Sequence, residues 1–239
     1  VDFNRAGVPL MELVTEPVID SSEKALEFGR ELQLILRYLD ISDADMEKGQ
    51  FRVEANLSVA PVGQEELGIK VELKNINSFR AVKNALAYEI ERQKELLEKG
   101  EKVIQETRGW NETKGVTISQ RGKEEAHDYR YLPEPDLPPM ELTAPEIIDL
   151  EELRLSIPEL PAQKRERFVK EFGLRADQVE VLIEGSDLAE FYEKVESEIA
   201  TIGDPGAEQF PEARARLSIN YLTSDVLGIL REKKMALTD

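Results

Sequence analysis

At 239 residues the chain is long enough for one large domain or two modest ones, and its 41% hydrophobic content, arranged in long apolar-periodic segments, excludes wholesale disorder despite 33% charged residues. A formal charge of −18 argues against a chain that grips nucleic acid by bulk charge, although it leaves open nucleic acid held by a partner. The absence of cysteine and the single histidine, His127, exclude disulfides, thiolate metal sites and His-cluster zinc sites.

The acid excess is spread evenly: residues 1–143 hold 28 acidic and 19 basic groups and residues 144–239 hold 21 and 12. No apolar run approaches the length of a membrane span and no signal peptide is visible, so a cytosolic protein is the default expectation. The opening "VDFNRAG" lacks methionine and begins as if in mid-sequence, which suggests a fragment.

In chain order, "VPLMELVTEPVID" predicts a strand that closes at Pro17. Ser21 or Ser22 then caps a helix over about 23–39, with Leu26, Gly29, Leu32, Ile35, Leu36 and Leu39 on one face. "FRVEANLSV" (51–59) alternates, with Phe51, Val53, Ala55, Leu57 and Val59 inward and Arg52, Glu54, Asn56 and Ser58 outward. After a loop holding Pro61, Gly63 and Gly68, "IKVELKNINSF" (69–79) alternates again: Ile69, Val71 and Leu73 face one way, Lys70, Glu72 and Lys74 the other. Asn75 and Asn77 follow. Ser78 caps a helix over roughly 79–99, with Val82, Ala85, Leu86 and Ile90 as its buried stripe and Gly100 as its stop. Short strands are expected at 103–108 and 115–121.

"HDYRYLPEPDLPP" (127–139) has four prolines in thirteen positions, so it is an extended segment or a linker. Beyond about residue 145 the chain becomes a series of mostly short helices punctuated by Pro or Gly. The expected fold class is α+β: a mainly antiparallel sheet domain with flanking helices over 1–145, then a small all-α domain over 146–239.

The two alternating strands are expected to pair antiparallel, but the joining loop is too long to fix their register. A hairpin centred on Gly63 sets Glu54 opposite Glu72, Arg52 opposite Lys74 and Asn56 opposite Lys70. Centred one residue earlier, it sets Arg52 opposite Glu72 and Glu54 opposite Lys70, a paired salt-bridge ladder. In the first register two carboxylates about 5 Å apart repel by roughly 3 kcal/mol at an effective dielectric of 20, which a bound cation would relieve. Magnesium takes one or two carboxylates and shares its remaining positions with water and phosphate oxygens, which nearby Arg and Lys also hold. Alternation alone favours the solvated ion-pair surface over such a site.

Glu12 stands in an otherwise apolar strand, where an acid needs a partner unless it occupies an edge facing water. His127, beside Asp128, and Arg130, among aromatics, are weaker candidates and fit surface or packing roles. No Walker loop or dinucleotide fingerprint is present.

Taken together, "DFNRAGVPLMELVTEP", "MEKGQFRVEANLSV", "VELKNINSFRAVKNALAYEIERQ", "QETRGWNETKGVT" and "DYRYLPEPDLPP" closely resemble the B subunit of the aspartyl/glutamyl-tRNA amidotransferase, the GatCAB complex. The likeness continues less distinctively through "IPELPAQKRERFV" and is weakest at "NYLTSDVLGIL", where Tyr221 stands at a frequent tryptophan position.

The resemblance implies a cradle-shaped α+β domain, a helical domain and a tail domain that helps bind tRNA, the tail lying outside this chain. It implies an A subunit that releases ammonia from glutamine and a small C subunit that straps A to B. The B subunit would use ATP and magnesium to phosphorylate the side-chain carboxylate of Glu or Asp mischarged on tRNA, and ammonia would displace the phosphate. By the same resemblance Glu12 and Glu72 are expected as magnesium ligands at the catalytic centre, with Glu54 in the same pocket. Residue type and strand face make Arg52, Lys70 and Lys74 candidates for phosphate contacts and Asn56 and Asn75 for holding ligands. A Gly-x-Glu-x-His stretch and an acidic pair that complete the family's metal site are not found here. A non-catalytic scaffold that docks the A and C subunits is the alternative reading. A carboxylate-metal nuclease would leave the Lys-Asn face unexplained.

Overall fold

The structure, a computed structural model, describes residues 7–122, 138, 139, 148–202, 211–235 and 237. It has two compact units. Among the described residues one comprises 7–30 and 45–122, and the other 31–44 together with the residues from 138 onward. The expected boundary near 145 falls outside the described residues, as do His127 and Arg130. The assignment of 31–44 to the second unit was not foreseen.

The first unit is built on a four-stranded sheet in the order β1 (Val53–Leu57), β2 (Val71–Ile76), β3 (Glu106–Asn111), β4 (Val116–Gly122). The β1–β2 and β3–β4 pairs are antiparallel. The β2–β3 pair is parallel, joined by helix α2 (Phe79–Glu98). A parallel pair needs a crossover of this length, so the helix is the reason β2 and β3 can lie side by side. Inward residues Val71, Leu73 and Ile76 meet Ala81, Val82, Ala85 and Leu86 of α2, and Val53, Ala55 and Leu57 pack against the same cluster. Burying such side chains contributes about 1.5–3 kcal/mol each, and this cluster sets which face of the sheet is left to solvent.

Helix α2 starts where expected, with the Ser78 hydroxyl accepting from the Ala81 N–H at 3.1 Å. It stops at Gly100, whose φ of 73° closes the last turn as Glu101 N–H bonds back to Leu96. The buried stripe differs from the expected one. It continues from Val82, Ala85 and Leu86 to Glu89 and Gln93, whereas Ile90 is only half-buried.

The strand expected in "VPLMELVTEPVID" is not formed. Residues 8–16 have no regular structure, and Val8, Leu10, Met11, Leu13 and Val14 are exposed. Alternation makes a strand only where a neighbour pairs its backbone, and no described strand does so here. Ile69 is likewise exposed rather than inward, because β2 begins at Val71.

The second unit contains the later part of α1 (Ser22–Tyr38), helices α3 (Leu150–Ser156), α4 (Pro161–Phe172), α5 (Ala176–Ile183), α6 (Ser186–Ile202) and α7 (Pro211–Asn220), a π-helical turn at Tyr221–Val226, and α8 (Leu227–Lys233). Its core gathers Phe168, Leu174, Val179, Leu182, Ile183, Ala189, Tyr192, Ala215, Ile219 and Leu222. Tyr38 packs against it and donates its hydroxyl to the Ile183 carbonyl at 3.1 Å; burial raises the phenol to about 12. No described helix is long and apolar enough to cross a membrane.

Candidate functional site

The outward face of β1 and β2 carries the charged residues singled out above, but neither simple register is the one formed. Asn56 pairs with Glu72 and Leu57 with Val71, and between Val53 and Ala55 the register slips, so that Val53 pairs with Ile76 while Ala55 pairs with Leu73. One extra residue is therefore accommodated in β2, at Lys74 and Asn75 opposite Glu54. Asn75 takes φ = 60°, a left-handed conformation that asparagine tolerates better than most residues. A loop that sets no turn type could not announce this bulge.

This register gathers three charges. Lys74 Nζ lies 3.2 Å from Glu54 Oε2 and 3.6 Å from Glu72 Oε1. Burial alone would lower the Lys74 pKa; hydrogen bonding and charge from Glu54, then from Glu72, outweigh it and hold the ammonium above its ordinary value. The expected Glu54–Glu72 repulsion is thus relieved by a lysine between them. Glu72 is the most enclosed of the three, with a side chain 14% exposed. Its Oε2 accepts a 2.7 Å hydrogen bond from Thr107 Oγ1, on the neighbouring strand directly opposite it.

The remaining candidates are exposed to solvent. Asn56, opposite Glu72, is exposed, and so are Arg52, Lys70 and Asn75. Glu12 lies in the exposed irregular segment. Among the described residues no three acidic or histidine side chains stand close enough to share a metal ion, so Glu12, Glu54 and Glu72 do not form a ready triad.

Beneath the opposite face lies a second polar cluster that sequence reasoning missed. Glu89 is fully buried and accepts from Arg92, Gln93 Nε2 and Thr117 Oγ1. Arg108 approaches Glu89 at 3.5 Å, donates to the Thr117 carbonyl, and pairs with Glu106. Ser119 also bonds to Glu106. Burial would raise the Glu106 carboxyl, but Ser119, Arg108 and Arg92 hold it below the ordinary carboxylate range. Gln93 in turn accepts from the Val59 N–H. The detectable signal was positional, since 82, 86, 89 and 93 share one helix face. The residue types disguised it.

Residues 1–148, well over half of the chain, match the GatB/GatE catalytic domain. The chain belongs to that family. Over all 239 residues it is 47% identical to the B subunit of an aspartyl/glutamyl-tRNA(Asn/Gln) amidotransferase from Rippkaea orientalis, covering 100% of this chain and 45% of the relative. The B subunit of the same enzyme from Thermoanaerobacter sp. strain X514 is 52% identical over 194 residues, 81% of this chain and 40% of the relative. Its counterpart from Roseiflexus sp. strain RS-1 is 47% identical over 97% of this chain and 45% of its own length. The chain therefore spans less than half the length of these family members. The Glu54–Lys74–Glu72 cluster, Thr107 and Glu12 all fall within the matched catalytic-domain region.

Proposed function

We propose that this chain carries part of the site at which a tRNA-dependent amidotransferase activates the side-chain carboxylate of Glu or Asp mischarged on tRNA(Gln) or tRNA(Asn). The observation that supports this best is the Glu54–Lys74–Glu72 cluster, on the open face of a sheet that belongs to a catalytic-domain family. Such a face combines a permanent cation with hard oxygen donors, the chemistry that a nucleoside triphosphate and a divalent metal require.

In the proposed reaction a substrate carboxylate oxygen attacks the γ-phosphorus of ATP, the bond to ADP breaks, and an acyl phosphate forms. Ammonia then attacks the acyl carbon and phosphate leaves, giving the amide. The protein's work is alignment and charge neutralisation rather than covalent chemistry. Lys74, kept protonated by its carboxylates, supplies positive charge to phosphate oxygens, flanked by Arg52 and Lys70 on the same strands or their edges. Asn56 and Asn75 orient bound groups through their amides. The donor chemistry suits magnesium: Glu54 and Glu72 bring two hard carboxylate donors to one face, where both now pair with Lys74. Glu72 and Glu54 would hold the ion, and Glu12 would join them only on moving toward them, since the three acids form no cluster here. When bound, the ion would neutralise phosphate charge.

On this reading the partners are a glutaminase A subunit, a small C subunit and the mischarged tRNA, and the location is the cytoplasm or, in a eukaryote, an organellar matrix. The scaffold reading, docking without chemistry, is favoured by one observation, the lack of a three-acid cluster among the described residues. Glu72→Gln in the complete complex separates the two. The expected result is loss of amide formation from ATP with glutamine hydrolysis intact. Equal loss of both, or of neither, contradicts the proposal.

A further inference from the structure

We propose that Thr107 is a positioning residue for the activating site: its hydroxyl orients the Glu72 carboxylate so that one oxygen is held and the other is presented to the open face. This rests on the reading of Glu72 given above. Thr107 is 1% exposed, and its Oγ1 donates to Glu72 Oε2 at 2.7 Å. The other oxygen, Oε1, is the one that faces Lys74 Nζ. The two oxygens thus have different partners, and the threonine breaks the symmetry between them.

The backbone supports this division. The parallel register sets Thr107 directly opposite Glu72, with side chains on the same face. On either side of it in the chain, Glu106 and Arg108 point to the other face and are tied into the Glu89–Arg92–Thr117 cluster. Thr107 is therefore anchored from beneath by charged hydrogen bonds while its hydroxyl works above. The β3–β4 register also slips here: Thr107 pairs with Arg121 and Arg108 with Ser119, leaving Gln120 as the extra residue. Bulges thus lie on both sides of Glu72, at Lys74–Asn75 and at Gln120. Bulges of this kind re-aim side chains next to working sites. A buried donor that fixes a ligating carboxylate is the arrangement by which a surrounding residue tunes a metal site.

The test uses the complete three-subunit complex with Thr107→Val, Thr107→Ala, Thr107→Ser and Glu72→Gln. Two readouts are taken: Mn2+ binding in the presence of ATP, followed by loss of the free-ion paramagnetic signal without turnover, and the magnesium half-saturation of tRNA-dependent ATP consumption. Val and Ala are expected to weaken Mn2+ binding about 10–100-fold and to raise the magnesium requirement, whereas Ser retains wild-type behaviour. Ser and Ala both lack the methyl group, so their comparison isolates the hydroxyl even if Val fails to assemble. Ser as defective as Ala overturns the proposal. Wild-type behaviour of all three threonine variants, beside a dead Glu72→Gln, overturns it too and leaves the Glu72 reading standing. Wild-type behaviour of Glu72→Gln overturns that reading and this proposal with it.

Discussion

Lys74 Nζ reaches Glu54 Oε2 at 3.2 Å across β1 and β2, where the register slip sets Lys74 and Asn75 together opposite Glu54. The two side chains are 31% and 53% exposed, so the pair contributes at most about 1 kcal/mol to stability. Lys74→Met should therefore leave urea denaturation of the complete protein almost unchanged. ATP turnover by the complex should fall about 100–1,000-fold, the usual cost of removing a preorganised charge from a developing transition state. A variant that loses stability while retaining turnover would make the cluster structural.

Asn75 carries the strain of that bulge. At φ = 60° a β-branched replacement is opposed by its own backbone, so Asn75→Val should destabilise the fold by about 1–2 kcal/mol. Asn75→Gly should unfold at the same denaturant concentration as wild type or higher, since glycine adopts this conformation without the Cβ clash. If activity falls in the glycine variant without any loss of stability, the amide itself is used.

Glu89→Ala tests the buried cluster. Removing the carboxylate takes from Arg92 and Arg108 their fully buried partner and leaves Glu106 alone to face both, and breaking such a network costs about 3–5 kcal/mol. The single tryptophan, Trp110 on β3, lies in the same unit, so its fluorescence during urea denaturation reports that unit directly. The midpoint should shift to much lower urea; an unchanged midpoint would mean that the cluster contributes nothing net.

Glu106 adds a pH dependence. Its folded carboxyl is held below the ordinary value, so its contribution is fully present above the unfolded pKa, about 4.3, and is lost as pH falls through the folded value. The stability gap between wild type and Glu106→Gln should be constant near neutrality and close below about pH 4.3. Parallel pH profiles for the two proteins would contradict the assignment.

Much of the fold was legible because alternation and helical periodicity are local. "FRVEANLSV", "KVELKN" and the Ser78-capped helix each announced themselves, and the structure forms all three. Register was not legible, because it depends on a loop without a defined turn type and on one extra residue at Asn75. Thr107 was hidden for a related reason: "QETRGW" reads as a strand, but nothing local says that it runs parallel to β2 with Thr107 opposite Glu72. Glu89 and Gln93 lay outside the expected stripe because two of the partners that satisfy them, Thr117 and Val59, are brought in by the fold. At 8–16 the apolar alternation was real, but no described strand pairs with it.

The most direct measurement is ATP consumption by the complete three-subunit complex supplied with mischarged Glu-tRNA and magnesium, for wild type, Glu12→Gln and Glu72→Gln. Loss of tRNA-dependent ATP turnover in both variants, with the complex still assembled and glutamine hydrolysis intact, is the expected result. Unchanged turnover in the two variants would return the Glu54–Lys74–Glu72 face to a solvated ion-pair surface and contradict the account.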